Sequence, residues 1–314
     1  MIEGVRGTRT LEGDEARKYK KVINTFSHIS EQLDFVLIKL PSLEREELFS
    51  RTVGEFSDIV TKQMFSFSDK KGRKLVLRPE GTAGVMRNYV EKNYKKEKKY
   101  FYSEQMYRYE RPQKGRYREF HQVGAEIIGA EERSIRSIVD IVILGVKFLT
   151  SILPIDNKYT LNINSIGTNN DRKKYIMKLY EYYKLYETEL SEESQKRLDT
   201  NPLRILDSKD KNDKLISFDA PKLNDYISKS SNEDFTKFKS QISDTDFKED
   251  PNLVRGLDYY NGITFEFVPN ESIGSQDTLG GGGQYDSLSS FIGSRQINGV
   301  GLAFGVDRIM ELID

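Results

Sequence analysis

The sequence predicts an α+β fold, a mainly antiparallel sheet with helices packed on it. Three observations carry this. Strand-like segments come in hairpin-joined groups, without regular βαβ alternation. One long helical stretch interrupts them and the strand pattern then returns. The run Gly280-Gly281-Gly282-Gly283 is not a G-x-G-x-x-G turn after a buried parallel strand, so a dinucleotide-binding fold finds no support.

Asp14 to Ile29 spaces its apolar residues for a helix, with Asp14 a candidate cap. Phe35 to Leu40 reads as a short strand stopped by Pro41. Phe65-Ser66-Phe67 and Lys74 to Arg78 flank Asp69-Lys70-Lys71-Gly72, a hairpin signature. Gly81 to Glu91 fits a helix following Pro79. Lys99 to Tyr109 and Tyr117 to Ile128 are rich in Tyr, Phe, Val and Ile, and Pro112 to Gly115 reads as the loop between two strands. Ser134 to Leu149 is an amphipathic helix, and Tyr159 to Ile163 alternates like a strand. From about Gly167 to Glu249 the chain is rich in Lys, Asp, Glu, Ser and Tyr, with helical spacing in Arg172 to Tyr186, Glu192 to Leu198 and Glu233 to Ile242. Leu, Ile, Tyr and Phe recur there often enough for a small core, which makes this a helical insertion and not disorder. Strand character returns at Gly262 to Val268, and a last helix is expected from about Leu302. The glycine run reads either as a turn or as backbone that a ligand can approach closely.

Bulk numbers narrow the function classes. Lys+Arg and Asp+Glu balance at 49 each, so any contact with nucleic acid must come from a local patch. Cys is absent and only His28 and His121 are present, which leaves no Cys-containing zinc cluster or polyhistidine metal site to propose. No apolar run approaches membrane-spanning length and the N-terminus lacks the apolar stretch of a signal peptide, so a cytoplasmic protein is expected. The local patch is Arg108 to Gln122, where cations alternate with aromatics and carboxylates. Guanidinium forks on a rigid sheet suit a polyphosphate, and a basic tip suits a nucleic-acid end. A solvated, salt-bridged hairpin is the plain alternative. His121 falls on the strand face opposite Phe120 and Gln122 and reads as structural.

Six segments together resemble the histidyl-tRNA synthetases, class II aminoacyl-tRNA synthetases, in order along nearly the whole chain. Pro41 with Ser50-Arg51-Thr52-Val53-Gly54-Glu55 resembles the dimer-forming first class motif and the residues just after it. Leu77-Arg78-Pro79-Glu80-Gly81-Thr82 resembles the amino-acid-binding turn, and Arg108 to Gln122 the second class motif with its loop. Thr200-Asn201-Pro202-Leu203-Arg204-Ile205-Leu206-Asp207 resembles a segment of the family's inserted domain. Leu253-Val254-Arg255-Gly256-Leu257-Asp258-Tyr259-Tyr260 resembles the histidine-specific motif, and Gly299 to Arg308 the third class motif.

The resemblance implies a class II synthetase fold. Residues 1–166 and 250–314 would form the catalytic core, with 167–249 the helical insertion domain. It implies histidine activation by ATP, with magnesium bridging the β- and γ-phosphates, and transfer to histidine tRNA by a cytoplasmic homodimer. Arg108 would sit on the α-phosphate and Arg255 would approach it from the histidine side, the two catalytic cations. Arg308, with Arg116, would hold the distal phosphates, Phe120 would stack on adenine and Glu110 would receive its amino group. Glu80 and Thr82 would take the histidine ammonium, and Gln122 would span its amino and carboxylate groups. Glu126 and Tyr260 would meet the imidazole nitrogens, with Tyr259 lining the wall. A buried polar pair of this kind rejects isosteres lacking the nitrogens by ~10⁴-fold. Gln113 and Arg118 would read the tRNA acceptor end, with Lys114 a phosphate contact.

Departures from the pattern are Gln284 and Asp307, where the family usually has Arg and Glu, and an end at Asp314 before any C-terminal anticodon-binding domain. That end admits two rivals: a non-catalytic synthetase-like regulatory subunit of ATP phosphoribosyltransferase, and a degenerate domain that senses uncharged tRNA. Both should lose catalytic cations or the basic loop, and here Arg108, Arg255, Arg308 and the loop Arg111 to Arg116 are all present.

Overall fold

A computed structural model describes residues 2–54, 57, 59–130, 134–154, 159–206, 208, 210–251, 253, 255–270 and 278–313, with Asn224 described by its backbone alone. Glu55, Asp207, Val254 and Asp314, which belong to the segments above, lie outside the described residues. The chain divides into two compact units, 1–164 with 237–314, and 165–236.

The first unit opens with α1 (Gly13–Gln32), which starts after Glu12 without a side-chain cap; Asp14 lies in the first turn and pairs with Arg17 instead. Next come β1 (Val36–Leu37), β2 (Leu43–Arg45) and α2 (Glu46–Thr52). The strand expected over Phe35 to Leu40 is thus cut to two residues, parallel to β5 (Lys98–Tyr107). β3 (Phe65–Ser68) and β4 (Lys74–Leu77) form the hairpin expected around Asp69 to Gly72, and with β2 make a three-stranded sheet. Then come α3 (Thr82–Glu91), β5, β6 (Glu119–Ile128), α4 (Ile135–Ile152) and β7 (Tyr159–Ser165).

The second unit holds α5 (Asn169–Lys184), α6 (Glu192–Thr200) and α7 (Lys211–Phe218) around buried Tyr175, Leu179, Tyr183, Leu198 and Ile205. Its polar composition serves its helix ends. Thr168 and Asp171 form a reciprocal capping box on α5. Asp213 accepts from the hydroxyls of Ser191 (2.7 Å), Ser194 (2.6 Å) and Ser208 (2.6 Å). The helical segment expected over 167–249 overlaps this unit, whose ends lie at 165 and 236. α8 (Lys229–Gln241) returns the chain to the first unit, where 237–249 belongs.

The first unit resumes with β8 (Phe247–Glu249), β9 (Asn261–Pro269), β10 (Gly280–Gln284), the short α9 (Leu288–Phe291), β11 (Gly299–Gly305) and α10 (Val306–Met310). The large sheet has the order β1-β5-β6-β11-β10-β9-β7-β8. β5/β6, β6/β11, β11/β10 and β10/β9 are antiparallel, while the outer pairs β1/β5 and β7/β8 are parallel.

Two readings are settled here. Of the alternatives for the glycine run the turn fails: it is a buried central strand paired on both sides, with Gly280 and Gly281 lining the cleft. The last helix starts at Val306, not Leu302, because Val300, Leu302 and Phe304 alternate with period two and belong to β11. One face of the sheet is closed by α1 and α4. Phe26 packs edge-on against Phe148 (5.1 Å between ring centres), and Phe304 meets Phe148 and Phe267 at 5.2 Å each. The opposite face carries the cleft.

Candidate active site

The turn between β4 and α3 places the first carboxylate. Glu80 folds back over the start of α3, accepting from the N–H of Thr82 (2.7 Å) and of Ala83 (3.0 Å). It thereby satisfies two donors that every helix leaves unpaired. Burial raises its pKa, opposed by those two bonds and by Arg108. Arg78 anchors the turn from beneath through a buried ion pair with Glu104 (2.6 Å).

Arg108 stands just past β5. Its Nε donates to the Pro79 carbonyl (2.9 Å) and its guanidinium lies 5.2 Å from the centre of the Phe120 ring. Burial lowers its pKa, with Glu80 pulling the other way. On β6 the strand alternation decides the rest. Phe120 and Gln122 face the cleft, while His121 turns toward α1 and meets the Tyr19 ring edge-on at 4.7 Å.

Glu126, further along β6, is fully buried. Oε1 accepts from the Thr82 hydroxyl (2.7 Å) and Oε2 from the Tyr285 hydroxyl (2.5 Å). Burial pushes its pKa up to about 8, against those two hydrogen bonds. There is room for its carboxyl because residue 301 on the paired strand is glycine: a Cβ there would lie 1.6 Å from Oε2.

The cations gather at the other end. Arg255 is ion-paired with Glu266 of β9, and Arg116 with Glu110. Arg308, at the start of α10, donates to the carbonyls of Gly115 in the hairpin loop (3.4 Å) and of Thr278. Burial lowers the Arg308 pKa, and nearby Arg108 and Arg116 push it the same way. Like charges are held together here with carboxylates between them.

These groups share one cleft of about 400 Å³. Its walls include eleven of the fifteen residues expected from the sequence: Glu80, Thr82, Arg108, Glu110, Arg116, Phe120, Gln122, Arg255, Tyr259, Tyr260 and Arg308. Glu126 lies behind the wall, joined to it by Thr82. Gln113, Lys114 and Arg118 lie outside it. Gln113 and Arg116 pair through their backbones at the hairpin tip, Lys114 meets Glu311 (3.2 Å), and Arg118 covers the Tyr109 ring at 3.9 Å. Three polar atoms of the lining residues, Tyr102 Oη, Gln122 Oε1 and Arg255 Nε, are buried without a hydrogen-bond partner. A ligand can supply what they lack.

A family model described as histidyl-tRNA synthetase matches residues 7–171 and 183–309. The histidine–tRNA ligase of Campylobacter hominis is 42% identical over 318 residues, covering 100% of this chain and 76% of that protein. This chain belongs to the histidyl-tRNA synthetase family. The fold agrees with that membership. The crystal structure of apo Staphylococcus aureus histidyl-tRNA synthetase superposes with a TM-score of 0.78 at 30% identity, over 99% of this chain and 73% of that one. A Bacillus halodurans protein described as an ATP phosphoribosyltransferase regulatory subunit/histidyl-tRNA synthetase gives a TM-score of 0.70 at 22% identity, over 100% of this chain and 83% of that one. At that identity the likeness is one of fold alone.

Around this synthetase-family cleft, four contributors receive no site role from the sequence: Tyr102, Glu266 and Asp307 in its lining, and Tyr285 behind it on Glu126. Glu266 had a signal, a lone acid inside the apolar strand Ile263 to Val268. Tyr285 follows Gln284 in a segment similar to a family pattern, but its role depends on Glu126, 159 positions away in sequence.

Proposed function

We propose that this cleft joins histidine to ATP and passes the histidyl group to histidine tRNA. The observation that carries the reading is the convergence of Arg108, Arg116, Arg255 and Arg308 on one cleft whose other end is lined by buried Glu80, Thr82, Tyr259 and Tyr260. In the first step a carboxylate oxygen of histidine attacks the α-phosphorus. The bond to the β-phosphate oxygen breaks and pyrophosphate leaves with its electron pair. In the second step a ribose hydroxyl of the terminal adenosine attacks the acyl carbon, the bond from that carbon to the phosphate oxygen breaks, and AMP leaves with the hydroxyl proton taken up by its phosphate.

Phosphoryl transfer asks a protein for positioning and charge neutralisation. Arg108 and Arg255 take the α-phosphate from two sides, and Arg116 and Arg308 the departing pyrophosphate. Phe120 stacks on adenine and Glu110 receives its amino group. Glu80 and Thr82 hold the histidine ammonium, Gln122 spans its amino and carboxylate groups, and Glu126 and Tyr260 take the imidazole nitrogens beside Tyr259. Magnesium fits as an ion carried in on the nucleotide, since it keeps most of its waters and needs only one or two protein carboxylates. Glu266 lines the cleft beside the cations and would face it. It would neutralise charge on the β- and γ-phosphates. Residues of the first unit form the catalytic core in this reading and the second unit is the insertion.

No helix among the described residues is long and apolar enough to cross a membrane, and we place the protein in the cytoplasm. Val36, Leu37, Leu43 and Phe67, on β1, β2 and β3, are exposed apolar residues and suit a two-fold dimer burying over ~2,000 Å². A monomer at micromolar concentration in sedimentation would remove that assignment. The reaction itself is tested by ATP–pyrophosphate exchange, which should depend on histidine and on magnesium. A folded sample without exchange would favour the non-catalytic subunit.

A further inference from the structure

The segment preceding α1 has no part in the chemistry above, yet it binds the back of the cleft's cationic end. We propose that Arg9 is a positioning residue for the nucleotide: it ties the hairpin tip to the last helix and so fixes the spacing of Arg116 and Arg308. The proposal rests on the ATP-dependent reading.

The segment is seated on the hairpin through its backbone. The Gly7 carbonyl accepts from the Arg118 N–H (2.7 Å), and the Arg118 guanidinium donates to the Arg6 carbonyl (3.3 Å). The fit is close enough to demand glycine. Gly7 has φ +87°, and a Cβ there would lie 2.8 Å from Arg118 Cγ and 2.9 Å from Pro112 Cγ.

Arg9 then turns toward the cleft wall, where it makes two partly buried contacts besides an exposed one to Glu15. Its guanidinium lies 4.2 Å from the centre of the Tyr117 ring, and one nitrogen bonds Asp307 Oδ1 (2.5 Å). Tyr117 is the chain neighbour of Arg116, and Asp307 is the chain neighbour of Arg308. One side chain therefore holds the residue next to each phosphate-facing cation. Asp307 is 5% exposed, and its second oxygen accepts from the His121 N–H on β6 (2.9 Å), so the anchor is itself fixed to the sheet.

The arrangement answers an electrostatic need. Arg116 and Arg308 repel each other until a polyanion arrives. A tip and a helix free to relax would separate them. Arg9 can hold both because its planar fork stacks on an aromatic face and donates at its edge at once. Lysine can meet Asp307 as a point charge but cannot do both. The outer nitrogen of Arg9 also reaches Glu15 (3.1 Å), an exposed contact of little weight.

The test is exchange kinetics on the full chain, with ATP, pyrophosphate and histidine varied separately, alongside thermal unfolding. In Arg9→Ala the KM values for ATP and for pyrophosphate should rise about tenfold, the loss of a charge-assisted hydrogen bond, while that for histidine stays within about twofold. Arg9→Lys should recover part of the loss. If Arg9→Ala does not fold, Arg9→Lys and Tyr117→Leu carry the same comparison, each with a smaller rise confined to ATP and pyrophosphate. A common rise in all three constants would make Arg9 merely structural and overturn the proposal. So would unmoved ATP and pyrophosphate constants in a chain that exchanges normally. A wild-type chain without any exchange overturns the ATP reading, and this proposal with it.

Discussion

At one end of the cleft Glu80 is 4% exposed, Tyr259 2% and Tyr260 5%, with Glu126 wholly buried behind them. At the other, the side chains of Arg116 and Arg255 remain 27% and 19% exposed, each against a carboxylate. The acidic end is held by the fold itself: helix N–H groups, the Thr82 and Tyr285 hydroxyls and a glycine opposite Glu126. At the cationic end Arg108 and Arg308 bond backbone carbonyls, but Arg116 and Arg255 are held by exchangeable partners. Glu110 and Glu266 occupy the arginines, and a polyphosphate can displace them because it offers more charge and the same fork geometry. The difference suits the two substrates. A small ligand read by its ring nitrogens needs a rigid, desolvated pocket. A triphosphate that must leave as pyrophosphate needs cations that can be reached and released.

The comparison breaks most sharply at Arg255, which we propose meets the charge that develops around the α-phosphate in the transition state. Removing such a cation typically costs ~10²–10³ in rate. We expect Arg255→Ala to depress the activation rate constant by that order with little loss of ATP affinity. Near-normal turnover with only a raised histidine KM would instead assign Arg255 to the acidic end.

A second test asks whether the acidic end is neutral when empty. The folded value of Glu126, about 8, lies above the ordinary 4.5, so the folded protein binds a proton that the unfolded chain has released. Stability from this group is fully present below the unfolded value and is lost as pH rises through the folded one. The Tm of the ligand-free protein should therefore fall between about pH 5 and about pH 9, and Glu126→Gln should make the fall shallower. Glu80, also raised by burial, leaves a residual slope of the same sign. An unchanged slope in Glu126→Gln would mean that Glu126 is already ionised. The same variant should weaken histidine binding while sparing ATP.

The two ends were unequally legible in the sequence. The hairpin arms Lys98–Tyr107 and Glu119–Ile128 were visible because aromatic and β-branched residues mark strands, and β6 alternation alone separated His121 from Phe120 and Gln122. Gly280 to Gly283 were not, because glycine has no side chain with which to show a period. Only pairing with β9 and β11 makes them a strand. The arginines were found through motifs, but Glu266, which holds Arg255, lies outside them on β9. The shift to polar composition near 167 is plain in the sequence, whereas α8 runs through the division at 236 without a break in its helical spacing.

The smallest expected effect lies outside both ends, at the hairpin tip. Gln113 and Arg116 exchange backbone hydrogen bonds (3.0 and 2.9 Å), and Gly115, with φ +68°, completes the turn. The fold of the tip thus rests on backbone, and the exposed Gln113 side chain can be shortened without disturbing Arg116. An amide can pair with a base edge, while neighbouring Lys114 and Arg118 can hold phosphates. We expect Gln113→Ala to slow transfer to histidine tRNA by roughly tenfold, the worth of one base contact, and to leave histidine-dependent pyrophosphate exchange almost intact. Arg116→Ala, one bridge partner away, should do the reverse and impair exchange first. If exchange and transfer fell together in Gln113→Ala, the tip would be serving the nucleotide, and the line between the cationic end and the RNA-facing surface would have to be drawn beyond residue 113.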